Sequence, residues 1–290
     1  MITSKSNELI KYIKSLHQKK YRDEYKKYFV EGIKLVEEAI NENMSIDRII
    51  ICEEIYVNDA NGDGLAKMSI LIDKIEYVSK NVFEYISDTK TPQGIMAIIN
   101  MPDNDKHSGA QYTSKQIEHD ICSGAQCAPD NIIFALDNIQ DPGNLGTIIR
   151  TLDCAGINTL LLSKGTVDLY NPKVIRSTMG AIYRVNIIEN LNLKEKLIEL
   201  KNEGYKIIIT DLSAKKYHYE LNFDEKLVIV IGNESNGVSQ EIKDVADIKI
   251  KIPMIGRTES LNAGVAASII AYARLTRKRM GTKLQIWHIT

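Results

Sequence analysis

Apolar residues recur at two spacings along this chain, every second position or every third to fourth, and the switches between them divide it into elements. Residues 5–20 have helical spacing, with Leu9, Ile10, Ile13 and Leu16 on one side and Lys5, Lys11 and Lys14 on the other. A strand and turn at 28–32 and a helix at 33–40 follow. A strand at 47–52, a helix near 65–72, a strand at 75–78, a helix at 82–86 and a strand at 95–99 complete the first region. This alternation predicts a small α/β domain over residues 1–100.

Residues 101–130 lose the periodicity and are rich in Asp, Ser, Gly, Gln and Asn, which predicts a linker. From 131 the pattern returns as strands at 132–136, 159–162, 185–188, 206–210 and 227–231. Helices are predicted at 144–154, 172–178 and 193–202. Continuous β-branched runs joined by helices predict a parallel sheet covered on both faces. A last strand at 248–252 is closed by Pro253, which cannot donate to a ladder. A polar loop at 256–259 leads to Ser260, a candidate cap for a helix with Leu261, Val265, Ala266, Ile269, Ile270 and Ala273 on one face.

Length and composition narrow the class. At 290 residues, 44% hydrophobic and 26% charged, the chain suits two modest globular domains. No apolar run of 18 residues predicts a membrane span, and the first residues lack an apolar signal region. Four scattered cysteines fit reduced thiols and a cytoplasmic location. Net charge is −1, yet residues 1–30 hold eight Lys/Arg against three acids and residues 274–290 hold five against none. Basic ends can steer a phosphate backbone, though they are equally common as solvated tails. Lys19–Arg22 and Tyr25–Tyr28 interleave basic residues with tyrosines, a pairing able to grip phosphates and stack bases or simply to end a helix.

No metal is expected. Asp59, Asn61 and Asp63 resemble a calcium loop, but Ile70 stands where its bidentate Glu belongs. His119, Cys122 and Cys127 match no zinc spacing. No G-x-G-x-x-G follows a strand, so a dinucleotide site is not supported.

Three stretches carry the chemistry: Phe134-Ala-Leu-Asp-Asn-Ile-Gln-Asp-Pro-Gly-Asn-Leu-Gly-Thr-Ile-Ile-Arg-Thr-Leu-Asp-Cys-Ala-Gly156, Leu227-Val-Ile-Val-Ile-Gly-Asn-Glu-Ser-Asn-Gly-Val-Ser239, and Lys251-Ile-Pro-Met-Ile-Gly-Arg-Thr-Glu-Ser-Leu-Asn-Ala-Gly-Val-Ala-Ala-Ser-Ile-Ile-Ala-Tyr-Ala273. Singly, each reads as ordinary strand–turn–helix sequence with capping residues and a turn glycine. In this order they resemble the signature motifs of the SpoU/TrmH family, S-adenosylmethionine-dependent RNA 2′-O-methyltransferases of the knotted α/β class. The resemblance covers roughly 131–280. Phe29-Val-Glu-Gly32 and Thr91-Pro-Gln-Gly94 are similar to the L30e-like RNA-binding domain that precedes many family members.

The resemblance implies a deep trefoil knot in a C-terminal domain at 131–290, and a homodimer packed through the knot and the helix 261–280. It implies that Thr210, Gly232, Ile252 and Leu261 hold S-adenosylmethionine, glycine allowing close backbone approach and the aliphatics forming apolar walls. Asn144, Arg150, Glu234, Ser260 and Asn262 match the family's polar catalytic positions. The family's Arg is proposed as a base, but a guanidinium stays protonated, so Arg150 is better read as a clamp on phosphate and developing alkoxide. Ribosomal RNA is favoured as substrate over transfer RNA. The alternative is a non-catalytic RNA-binding assembly factor, against which the complete polar set argues.

Overall fold

The computed structural model describes residues 1–56, 73–102 and 131–278, the last three of these by their backbone only. The candidate calcium loop, the helix at 65–72, the linker with His119, Cys122 and Cys127, and most of the basic C-terminal stretch lie outside the described residues. The chain forms two compact units, Met1–Lys106 with Asp168–Arg184, and His107–Val167 with Val185–Thr290.

The first unit is built on a four-stranded sheet of β1 (Lys27–Glu31), β2 (Ile46–Ile51), β3 (Ile75–Tyr77) and β4 (Ile95–Asn100), in the order β1-β4-β2-β3. Strand β4 is antiparallel to β1 and β2, whereas β2 and β3 are parallel. Period-two alternation sends Phe29, Ile50, Met96 and Ile98 to one face, where they pack with α1 (Glu8–Ser15) and α4 (Lys80–Ile86). Tyr28, Val30, Ile49 and Ala97 face the opposite way, toward α3 (Ile33–Asn41).

The single helix expected over 5–20 is in fact two, α1 and α2 (Lys19–Tyr25). The break follows from the carbonyls at the end of α1. Arg22, buried on α2, donates from Nη1 to the Leu16 and His17 carbonyls at 2.7 and 2.9 Å, oxygens that a continuing helix would have used internally. Its Nη2 pairs with Asp168.

Asp168 opens a segment that belongs to this first unit although the sequence pattern groups it with the second half. Within it, α6 (Pro172–Thr178) buries Ile175 in the sheet face shared with α3, and Tyr170 packs on Tyr28 with ring centroids 4.6 Å apart. Arg184 reaches Glu38 on α3 at 2.5 Å, and Arg176 pairs with Asp88.

The second unit holds a seven-stranded sheet in which every neighbouring pair of strands is parallel. Its strands are β5 (Ile132–Asp137), β6 (Thr159–Ser163), β7 (Asn186–Leu191), β8 (Lys206–Thr210), β9 (Lys216–Tyr217), β10 (Leu227–Gly232) and β11 (Ile248–Lys251), in the order β7-β6-β5-β10-β8-β11-β9. One face packs Ile133, Ala135, Ile207 and Val228 against α7 (Leu193–Asn202) and Ile242 of α8 (Gln240–Lys243). The other carries α5 (Pro142–Ala155) and α9 (Ala263–Lys278), which pack on each other, with α9 also touching β10. The predicted parallel sheet with helices on both faces is therefore present. The two-residue β9 and one-turn α8 had no periodic signal to reveal them.

The last helix starts two residues later than Leu261. Asn262, not Ser260, caps it: Asn262 Oδ1 accepts from the Val265 amide at 3.2 Å. Ser and Asn are both good caps, and spacing alone could not choose between them.

Candidate active site

The carboxyl ends of β8, β10 and β11 open onto one cleft of about 360 Å³, within the range of small-molecule sites. In open parallel sheets this end is where ligands bind, because loops there diverge. Thr210 ends β8, Gly232 ends β10, and Ile252 follows β11. With Leu261 from the loop before α9, all four residues expected at a cofactor line this cleft. Glu234 and Ser260 line it as well.

Gly232 has a more local purpose than the sequence suggested. A Cβ there would lie 2.1 Å from the Val238 nitrogen and 2.2 Å from the Gly237 carbonyl carbon. The chain folds back on itself: Asn233 and Gly237 exchange backbone hydrogen bonds of 3.0 and 2.9 Å. Asn233 fixes this turn by accepting from the Ser235 and Asn236 amides and donating to the Asn138 carbonyl at 2.8 Å. Any side chain at 232 would therefore force the turn that forms this cleft wall to shift.

From that turn Glu234 reaches α5. Asp141 caps α5 by accepting from the Asn144 amide at 2.8 Å, which orients Asn144 inward, where it is buried. Asn144 Nδ2 donates to Glu234 Oε1 at 2.9 Å, and Asn262 Nδ2 donates to Asn144 Oδ1 at 2.8 Å. The three motifs therefore meet in one chain of amides ending on a carboxylate, with backbone amides of Gln140 and Asp141 also directed at Glu234 at 3.3 Å. Partial burial would raise the Glu234 pKa, but hydrogen bonds from Asn144 and the backbone outweigh it and hold the carboxyl below its usual range.

Arg150 stands on α5 six residues beyond Asn144, roughly 9 Å along the axis at 1.5 Å per residue. It is exposed, is not among the residues lining the cleft, and its guanidinium makes no ion pair among the described residues. Ser260 sits on the exposed loop rather than at the start of the helix.

Asp211 also lines the cleft, and sequence reasoning missed it. Its Oδ1 accepts from the Ser213 hydroxyl and amide at 2.7 and 2.8 Å, and Oδ2 faces Lys243 at 3.8 Å and Lys249 at 3.9 Å. The Ser213 hydroxyl chiefly lowers its pKa, burial opposes, and the lysines add to the lowering. Its one signal was position, directly after a strand end beside Thr210. The cleft thus combines aliphatic walls (Leu212, Ile252, Met254, Leu261) with an ionised carboxylate, a donor set that fits a cationic, partly apolar nucleoside such as S-adenosylmethionine. Among the described residues no group of His, Cys, Asp and Glu could hold a metal ion.

A model of the SpoU rRNA Methylase family matches residues 131–272, and one of the MRM3-like substrate binding domain matches residues 7–97. The chain is 31% identical over 271 residues to the 23S rRNA (guanosine(2553)-2′-O)-methyltransferase RlmP of Bacillus subtilis, covering 93% of this chain and 97% of that one. It is 32% identical to a putative TrmH family tRNA/rRNA methyltransferase of Staphylococcus epidermidis, over 86% of this chain and 95% of the relative. Among solved structures, an AdoMet-bound rRNA methyltransferase from Sinorhizobium meliloti superposes with a TM-score of 0.77 at 27% identity, over 95% of this chain and 97% of that one. An RNA 2′-O ribose methyltransferase gives 0.76 at 26% identity, over 96% and 98%.

Proposed function

Because the chain belongs to the SpoU rRNA methylase family, we propose that it transfers a methyl group from S-adenosylmethionine to a ribose 2′-hydroxyl of ribosomal RNA. The observation that carries this is the meeting of Asn144, Glu234 and Asn262 beside a cleft lined by Thr210, Gly232, Ile252 and Leu261. An assembly factor that merely kept the fold would have no use for a three-residue polar relay at that place.

S-adenosylmethionine supplies a methyl group already activated by its sulfonium charge, so the protein has no need of a metal. The aliphatic walls of the cleft hold the apolar parts of such a ligand, and Asp211 offers a fixed negative charge to its cationic parts. Glu234, kept ionised by inward-pointing donors, acts on Asn144 and through it on Asn262, fixing amides that can position a ribose. The bond from the methyl carbon to the 2′-oxygen would form as the carbon–sulfur bond breaks, leaving the neutral demethylated cofactor, and the hydroxyl would give its proton to water, so negative charge grows on the oxygen. Arg150 clamps an RNA phosphate and stabilises that charge.

We assign the catalytic part to residues 131–290, with the trefoil knot of its class, and RNA capture to the L30e-like unit at 1–100. The protein works in the cytoplasm as a homodimer through its C-terminal domain. Exposed Val265 and Tyr272 on α9 support a partner there. No helix of the described residues is long and apolar enough to cross a membrane.

The experiment is a map of 2′-O-methyl positions in RNA from cells with and without the protein, 23S rRNA first. One ribosomal position that loses its methyl group, regained with purified protein and S-adenosylmethionine, is the expected result. Loss confined to a transfer RNA would move the substrate, and no loss in any RNA would remove the activity.

A further inference from the structure

Tyr21 and Tyr25 form a surface pair on α2, backed by Tyr12 of α1, which is half-buried against the core. Tyr25 packs edge-on against Tyr12 with centroids 5.1 Å apart, and lies nearly parallel to Tyr21 at 6.2 Å with planes 15° apart. Tyr25 is 41% exposed and Tyr21 is half-buried. The Lys20 ammonium stands 5.5 Å from the centre of the Tyr21 ring. Residues 19–27 hold five basic side chains against Asp23 and Glu24. One of the five, Arg22, is committed to the buried pair with Asp168, and Lys27 to Asp47 at 2.9 Å. Lys19, Lys20 and Lys26 are exposed.

Two features distinguish this array from the packing of one helix on another. The ladder Tyr21–Tyr25 lies on one helix at i,i+4, with Tyr25 open to solvent instead of driven into the core. In addition, Lys26 directly after Tyr25 adopts the left-handed conformation at φ 52°, a position that glycine or asparagine fills at lower cost. A flat π-surface flanked by exposed cations is what an unpaired nucleotide requires: the ring stacks on the base and the ammonium groups meet the phosphates. Duplex RNA, whose bases are already stacked, would gain only the charge contribution.

The geometry points to Tyr21 and Tyr25, braced by Tyr12 behind them, as a stacking platform for unpaired bases of the RNA substrate, with Lys19, Lys20 and Lys26 on the backbone. This rests on the RNA-methyltransferase reading and adds to it a mode of recognition. The platform selects looped or single-stranded RNA over helices, and does so without reading sequence.

The test uses the full chain and two fluorescein-labelled probes, a 12-nucleotide oligouridylate and a 12-base-pair RNA duplex, with anisotropy at two salt concentrations. The oligouridylate is expected to bind more tightly than the duplex. Tyr25→Ala should weaken oligouridylate binding about tenfold, by analogy with other base–aromatic contacts. Tyr25→Phe should keep wild-type affinity, and Tyr25→Leu, apolar but unable to stack as well, should behave like Ala. S-adenosylmethionine affinity should not change in any of them, which reports an intact second unit. Photocrosslinking of 5-iodouridine-substituted RNA should label Tyr21 or Tyr25, a readout independent of variant folding. Wild-type affinity in the Tyr21→Ala, Tyr25→Ala double variant, equal binding of both probes, or crosslinks confined to other residues would each overturn the platform. Those outcomes are separable from failure of the underlying reading, in which the wild-type protein would methylate no RNA at all.

Discussion

Glu234 is placed to accept and never to donate: Asn144 Nδ2 and two backbone amides all point at its carboxylate. Glu234→Gln would turn one amide toward those donors and misplace Asn144. Methyl transfer should fall on the order of 100-fold, the usual cost of a small misplacement in a reacting complex, with the circular dichroism spectrum unchanged. The pH dependence follows from its depressed pKa. The contribution of the carboxylate is fully present at neutral pH and is lost as pH falls through that lowered value, so the rate should show no Glu234-dependent change between pH 6 and 8. Single-turnover rates across pH check both statements. Arg150→Ala should abolish transfer, at a cost of about 3 kcal/mol or more in the transition state, while cofactor affinity measured by calorimetry stays constant. Arg150→Lys should restore little, since lysine lacks the planar fork. At this scale the motif pattern singled out Asn144, Glu234 and Asn262, which the structure brings into contact, placed Ser260 at a cap that Asn262 occupies, and was silent on Asp211, a single carboxylate after a strand with no pattern around it.

Secondary-structure elements tell a mixed story. Helices 172–178 and 193–202 and the strand 206–210 agree with the pattern to the residue, because proline, asparagine or glycine punctuates them. The α1–α2 break was hidden: Leu16 continues the apolar spacing, no glycine or proline intervenes, and its cause is a buried arginine from the next helix. Element geometry also explains Gly232. Gly232→Ala places a methyl group against backbone that cannot rotate away, so the 233–237 turn must shift. Destabilisation of about 2 kcal/mol, in the range of overpacked sites, is expected from urea unfolding. Loss of cofactor binding should exceed what that destabilisation alone explains. Cofactor affinity equal to wild type would mean that the turn does not shape the cleft.

For the whole molecule, the informative residues are those of 168–184. They lie inside the stretch that matches the methylase family model, yet they pack in the first unit. Ile175 is 1% exposed against the sheet of that unit. Ile175→Ala should cost about 3 kcal/mol, as buried isoleucine truncations do. Hydrogen exchange should locate the loss in residues 27–51 and 95–100 rather than in the seven-stranded sheet; faster exchange in the latter would contradict this. The contact of α6 with β1 joins residues more than 140 positions apart, and local periodicity carries no information about it.

That segment also limits how these units can be recombined. Exchange of the first hundred codons between two homologous genes would deliver a sheet to a chain whose residues 168–184 had been fitted to a different one. Tyr28 would meet a foreign residue in place of Tyr170, and a buried Arg22 would arrive without Asp168. Viable chimaeras should therefore be those that transplant both stretches together, so the heritable cassette of this protein is discontinuous in its gene.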